Sequence, residues 1–310
     1  MAKVVALGEV LIDFTPCGRS ERGRLLYECN PGGAPANMLS CLSQFGHECK
    51  MIGCVGQDAY GDEIVRAIDE AGVDCRYIAR SKTAPTTLAV VSLNADGDRS
   101  FSFYRDHCAD VSIHPDDITE GMLDGVSLVH VGSLSLTHEP VRSATMKLLS
   151  MAKEKGIAVS YDPNYRPLLW KSAEQAREGM KSLLPLADIV KVSDEEAAFL
   201  TGIEDLDEAG KSLMAVYPNI RVLFLTRGAE GSSYYLPDGD CGTVAGLCGE
   251  QIVDTTGAGD YFFGGAVSRL LEQGTNAEID ASEAREACVR GNECGYRVAQ
   301  VRGALGVKIR

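Results

Sequence analysis

The feature that most constrains the fold is the alternation of short β-rich runs with amphipathic helical runs. KVVALGEVLIDF, CKMIGCVG, VSLVHVGS, IAVSYDPN, DIVKVS and RVLFLT all read as strands buried on both faces. Helical patterns lie between most of them. YGDEIVRAIDEAG gathers Ile64, Val65 and Ile68 on one face and closes at Gly72, and EPVRSATMKLLSMAKEKG closes in the same way at Gly156. This alternation predicts an α/β fold with a mostly parallel sheet covered on both sides. At 310 residues the chain could hold two average domains, but α/β folds of this size often remain one unit. No repeat, low-complexity segment or linker divides it.

Two segments break the rhythm. Residues 86–105, TTLAVVSLNADGDRSFSFYR, alternate with period two around NADGD, which is a hairpin signal. The stretch DFTPCGRSERGRLLYECN, from Asp13 to Asn30, is too long and polar for a simple turn. Together they predict a small β flap interwoven with the main sheet, able to act as a lid or as an association surface.

The formal charge of -14 opposes non-specific binding to nucleic acid or to an anionic membrane. A nucleotide phosphate needs only a local nest of donors, so it is not excluded. The start, MAKVVALGEVLIDF, is interrupted by Glu9 and Asp13 and reads as neither a secretory signal nor a span, which gives a cytoplasmic expectation. Eleven cysteines without a CxxC pair read as reduced thiols rather than a disulfide framework or a zinc site. The five histidines, among them His107, His130 and His138, lack metal-ligand spacing and read as structural or solvated.

The chemistry concentrates in DTTGAGD, residues 254–260. The loop follows a strand-like EQIVD and opens a helix in which Phe262, Ala266 and Leu270 recur at i, i+4 and i+8. Gly257 and Gly259 allow consecutive N–H groups to converge into an anion hole with Ala258. Asp260 would repel a phosphate bound there, yet it is well placed to take a proton from a hydroxyl attacking a phosphoryl group. A helix-capping role is the plainer alternative for an Asp at such a position. Gly264 and Gly265 inside the helix cost roughly 1 kcal/mol each relative to Ala and point to close approach of another backbone or a ligand. Neither GxxxxGK[ST] nor GxGxxG is present, which argues against a P-loop NTPase and a dinucleotide-binding dehydrogenase.

DTTGAGD resembles the C-terminal signature of the ribokinase-like (PfkB) carbohydrate kinases, and NPGGAPANMLSCLSQFG with IGCVGQDAYGDEI resembles the N-terminal one. The resemblance spans essentially the whole chain. It implies a ribokinase-like three-layer α/β/α sandwich: one kinase domain over 1–310, with a β lid at about 13–31 and 86–106. It also implies that Asp260 is the catalytic base beside the loop of Gly257, Ala258 and Gly259. Asp13, Gly32, Gly33 and Asn37 would hold sugar hydroxyls, and Thr226, Gly228 and Asn292 would contact ATP. A family N-x-x-E motif, serving phosphate and Mg²⁺ through water, appears here as SDEE, with Ser193 in place of Asn and Glu196 retained. Ser193 keeps one hydroxyl with a shorter reach than an amide. Asp254, Thr256 and backbone near Gly303 and Ala304 match a monovalent-cation site, implying K⁺.

For the sugar, FYRDHCAD and DPNYRPLLW resemble the bacterial fructokinase and 2-keto-3-deoxygluconate kinase branch. A guanidinium at Arg105 or Arg166 can fork onto the carboxylate of a keto acid, or onto sugar hydroxyls and the transferred group; pairing with surface acids is the alternative for each. The expected reaction is transfer of the γ-phosphoryl of ATP to the 6-hydroxyl of D-fructose. Ketodeoxygluconate as acceptor, or a non-catalytic sugar or nucleotide sensor, are the other readings. A homodimer through the β lid is compatible with all of them.

Overall fold

The computed structural model describes residues 1–93, 99–249, 252–275 and 277–309. In chain order its elements begin with β1 (Lys3–Leu7), β2 (Leu11–Arg19), β3 (Leu25–Gly32), α1 (Ala34–Gln44), β4 (Glu48–Gly56), α2 (Ala59–Glu70), β5 (Val73–Ser81), β6 (Thr87–Leu93) and β7 (Arg99–Tyr104). They continue with β8 (Leu128–Gly132), α3 (Val141–Glu154), β9 (Ala158–Asp162), α4 (Ala173–Leu183), β10 (Ile189–Ser193), α5 (Asp194–Thr201) and α6 (Leu206–Val216). The last are β11 (Val222–Thr226), β12 (Gly231–Tyr235), β13 (Cys241–Ala245), α7 (Ala258–Gln273) and α8 (Ala281–Val298).

Nine strands form one sheet in the order β13-β12-β11-β10-β9-β8-β1-β4-β5. From β11 to β5 all neighbours are parallel, and β12 and β13 add an antiparallel edge. The double burial expected of the apolar runs follows from the pleat. Val5 and Leu7 of β1 enter a core with Leu148 of α3, Met180 of α4, Leu200 of α5 and Leu213 of α6. Val4 and Ala6 enter a second core with Leu39 of α1, Ile64 of α2, Phe263 of α7 and Cys288 of α8. Helices thus cover both faces, giving the three-layer α/β/α arrangement.

A second sheet has four strands in the order β3-β2-β6-β7. β2 pairs antiparallel with β3 and parallel with β6, while β6 and β7 run antiparallel. The two segments that break the helical rhythm therefore meet in one sheet. Four of the NADGD residues, and Asp98 as the fifth, lie outside the described residues.

Two local readings are corrected, and a third resolves to one of its alternatives. KVVALGEVLIDF is two strands in different sheets, because the chain bends at Gly8, where a Cβ would come within 2.6 Å of Pro35 Cγ. Ile252–Asp254 is not a strand; the Val253 and Asp254 amides both donate to the carbonyl of Ala299, and the rest of EQIVD lies outside the described residues. Gly264 and Gly265 do mark close approach, but of helices rather than a ligand. A Cβ would lie 2.6 Å from Cys41 Cβ of α1 at Gly264 and 2.7 Å from Cys294 Sγ of α8 at Gly265. These contacts lock α7 between α1 and α8 and fix where its N-terminus falls.

Candidate active site

The first turn of α7 organises the site. Gly257 precedes the helix at φ 76°, a left-handed conformation that glycine adopts without strain, and a Cβ there would overlap Ala304. The amides of the following residues emerge at the positive end of a 16-residue helix, which suits an anion. Asp260 lies in this first turn, and its Oδ2 accepts from Asn37 Nδ2 at 2.8 Å. Asn37 itself comes from the first turn of α1, with its amide bonded to the carbonyl of Gly33 at 2.9 Å. Gly33 stands at φ 130°, and a Cβ there would overlap the carbonyl of Glu9. The glycine of GGAPAN is thus what brings α1 against the end of β1, and so Asn37 against Asp260.

Asp13 projects from β2 beside Gly32, where a Cβ would stand 3.2 Å from its Oδ2. Asp13, Gly32, Asn37, Asp254, Thr256, Gly303 and Ala304 line one small pocket. Asp13, Gly32 and Asn37 of the expected sugar residues are therefore neighbours of all four expected cation residues, while Gly33, Arg105 and Arg166 do not line this pocket. Asp254 Oδ1 accepts from both the amide and the hydroxyl of Thr256, at 3.1 and 2.7 Å, and its Oδ2 accepts from the Gly303 amide at 3.3 Å. Carboxylate, hydroxyl and main-chain oxygens of this kind match the donor chemistry of a hard monovalent cation.

The electrostatics are those of crowded carboxylates. Burial pushes the Asp13 carboxyl up to about 6, with Arg166 opposing and Asp254 and Asp260 reinforcing the rise. Asp260 is also raised, by burial, while the Asn37 hydrogen bond, Lys191 and Arg166 hold it down. Glu9, beneath α1, rises to about 7 through burial, against the pull of Arg105. One Glu9 oxygen accepts from the Ala34 amide at 3.1 Å; the other is buried without a partner, as is Asn37 Oδ1.

On the other side of α7 lies a cavity of about 400 Å³. Thr226, Gly228, Gly259, Phe262, Asn292 and Tyr296 are among its lining residues. Thr226 ends β11, Gly228 turns at φ 52°, and Asn292 of α8 donates to the carbonyls of Val244 and Ala245 at 3.2 Å each. The three expected nucleotide contacts thus share a cleft with the anion loop.

Two expectations change. Ser193 does not line that cleft: its hydroxyl accepts from the Glu196 amide at 3.1 Å while Glu196 accepts from the Ser193 amide at 2.8 Å, a capping box at the start of α5. The short hydroxyl is held by its own helix as an acceptor. Glu196 is buried, and its second oxygen accepts from the Tyr165 amide at 2.7 Å. Arg105 is no open fork. It is 3% exposed, with Nε on Asp110 at 2.7 Å, Nη1 on Thr137 Oγ1 at 2.9 Å and Nη2 on the Leu134 carbonyl at 3.1 Å. Asp110 is held in turn by the hydroxyl of Thr87. Arg166 remains exposed, with Nη1 on the carbonyl of Tyr165 at 3.0 Å, and its charge reaches Asp13 and Asp260.

Sequence reasoning missed a buried ion pair. Lys191 of β10 lies 3.0 Å from Asp162 at the end of β9, with both side chains under 8% exposed. A lone Lys inside the apolar run DIVKVS was the available signal. Among the described residues no group of three His, Cys, Asp or Glu forms a metal cluster, and no helix is long and apolar enough to cross a membrane.

A three-layer α/β/α fold, with a carboxylate in the first turn of one helix between a polar pocket and a larger cleft, is the setting in which comparison with known proteins shows a phosphotransferase acting on a sugar hydroxyl. The chain belongs to the pfkB family of carbohydrate kinases, whose family model matches residues 1–308. It is 39% identical over 308 residues to a probable fructokinase-2 of Arabidopsis thaliana, covering 97% of this chain and 91% of that protein. Among solved structures it is similar to the fructokinase of Vibrio cholerae O395 with fructose, ADP and calcium bound, at a TM-score of 0.86 and 30% identity, over 99% of this chain and 96% of that one. The ATP-bound fructokinase of Xylella fastidiosa superposes at a TM-score of 0.88 with 29% identity, over 98% and 94% of the two chains.

Proposed function

We propose that this kinase transfers the γ-phosphoryl group of ATP to the 6-hydroxyl of D-fructose, giving fructose 6-phosphate. The observation that carries the reading is the 2.8 Å bond from Asn37 to Asp260, which ties the first turns of α1 and α7 together between the polar pocket and the larger cleft. The fructokinase relatives and structures support fructose as the acceptor. Asp13 and Asn37 would pair the sugar hydroxyls, the unpartnered Asn37 Oδ1 being free to accept one. Asp260 takes the proton of the attacking hydroxyl, and the amides of Gly257–Asp260 stabilise the charge gathering on the transferring group. Thr226, Gly228 and Asn292 hold the nucleotide.

Glu196 has the chemistry to hold Mg²⁺ through water near the phosphates, although both its oxygens already accept main-chain hydrogen bonds. Mg²⁺ held there would neutralise phosphate charge. Asp254, Thr256 and the main chain at Gly303 and Ala304 would hold K⁺, supporting the anion loop from behind. In this reading the chain is one kinase domain, with the four-stranded sheet as a lid that keeps water from acting as acceptor. The exposed Leu25, Leu26, Tyr27 and Tyr104 of that sheet support its pairing with a second copy. Eleven free thiols support a reducing, cytoplasmic setting.

A coupled ADP-release assay across ketoses, aldoses and sugar acids tests the reading. Fructose should give the highest kcat/KM. A higher value for ketodeoxygluconate would transfer the assignment to that acid, and no ADP release with any sugar would leave a binding protein.

A further inference from the structure

A buried cation lies beneath the anion loop, and the chemistry above does not use it. Lys191 is flanked on β10 by Val190 and Val192, which face the α3–α6 core. Strand alternation therefore puts Lys191 on the opposite face with Ile189, which packs in the core shared with α1, α7 and α8. On that face β9 presents Ser160 and Asp162, and β8 presents His130, whose Nδ1 is 3.1 Å from Ser160 Oγ. Lys191 Nζ stands 3.1 and 3.0 Å from the two oxygens of Asp162. It also lies 3.2 Å from the place a Cβ would take on Gly259. The ammonium is thus anchored from one side and turned towards the first turn of α7 on the other.

Two observations favour a role beyond packing. A buried ion pair is commonly no more stabilising than apolar residues of the same volume, so stability alone does not call for one here. The field of the ammonium is also felt by the groups around it. Burial would lower the Lys191 pKa, but Asp162, Glu196 and Asp260 outweigh it and the net shift is upward, so the side chain stays charged. His130 is driven down to about 3, first by burial and then by Lys191, and stays neutral. Burial raises Asp260, and the same ammonium offsets part of that rise.

We propose that Lys191 is a positioning residue for phosphoryl transfer: anchored by Asp162, its ammonium supplies fixed positive charge under Gly259, so that Asp260 and an incoming phosphate can share the N-terminus of α7. The inference rests on the kinase reading and deepens it. Without that charge, a carboxylate base and a phosphate repel one another in a partly desolvated site, where charges interact more strongly than in water. A cation already in place relieves the repulsion without reorganisation during the reaction. A staple between β9 and β10 would use the same pair but would need only its neutrality.

The test compares Lys191→Met with the double variant Asp162→Asn/Lys191→Met, which leaves no unpaired carboxylate behind. Lys191→Met should lower kcat about 10- to 100-fold with acceptor KM within about three-fold. The double variant should stay within about three-fold of the single variant's kcat and melt near the wild type. A double variant that recovers wild-type kcat, or one whose loss lies in acceptor KM, overturns the proposal. Should Lys191→Met fail to fold, the double variant decides alone by the same criteria. The wild type is assayed first on fructose: failure there sinks the acceptor reading, and the Lys191 comparison is then read on the sugar it does phosphorylate.

Discussion

The two sides of α7 are built from different chemistry. The proposed sugar side is carboxylate-rich: Asp13, Asp254 and Asp260 crowd around Asn37, with Glu9 buried behind Gly33. The cleft proposed for the nucleotide has no Asp, Glu, Lys, Arg or His among its described lining residues, and Gly228, Gly231, Gly246, Gly249, Gly259 and Gly295 leave main chain exposed to it. A sugar presents hydroxyls that need paired donors and acceptors, whereas a nucleotide brings its own charge and needs surface, amides and room. Substitutions on the first side should therefore change chemistry and pH dependence. Those on the second should change nucleotide affinity alone.

The sharpest way to break this contrast is Asp260→Asn. The amide keeps the shape and the contact with Asn37 but cannot take the proton, so kcat should fall by on the order of 10² to 10⁴ while the KM values for fructose and ATP stay within a few-fold. Steady-state kinetics with both substrates varied provide the check. Near-normal turnover would remove Asp260 as base and leave the capping alternative.

Glu9→Gln probes the charged side with a smaller effect. The folded-state carboxyl titrates at about 7 against an ordinary 4.5, so between those values the folded protein binds more protons than the unfolded chain. Stability therefore falls as pH rises from about 4.5 through about 7, and the wild type carries a penalty on the order of 3 kcal/mol above that window. Gln cannot ionise and should flatten the slope. Urea midpoints at pH 5 and pH 8 should differ less in the variant; an unchanged difference would show that Glu9 does not titrate in that window.

How much of this was legible in sequence depended on the range of the interactions. The loop from Gly257 to Asp260 could be read because glycine φ freedom and helix starts are local properties, and the three-layer fold could be read from burial periodicity. The split of β1 from β2 escaped because a bend at Gly8 is set by Pro35, which packs there only in the folded chain. Arg105 looked like a substrate fork because two of its three partners, Thr137 and the Leu134 carbonyl, lie 32 and 29 positions away. Ser193 was read from a family pattern while its own capping box with Glu196 was already spelled in SDEE. Lys191 went unseen because Asp162 lies 29 positions away, and a strand pattern gives no clue to which buried charges will meet.

The smallest expected effect falls on the uncharged side, at Asn292. Its Nδ2 donates to two carbonyls at the end of β13, so Asn292→Ala leaves those acceptors without their side-chain donor and loosens one wall of the cleft without touching a carboxylate. Hydrogen bonds of this neutral kind are worth about 0.5–1.5 kcal/mol each, which sets the rise in KM for ATP at about 3- to 10-fold. Fructose KM and kcat should stay within about two-fold, because α8 touches the base only through the packing of α7. Kinetics at saturating fructose with ATP varied make the measurement. A fall in kcat comparable to that of Asp260→Asn would mean that the two sides are one coupled unit and that the division between them is false.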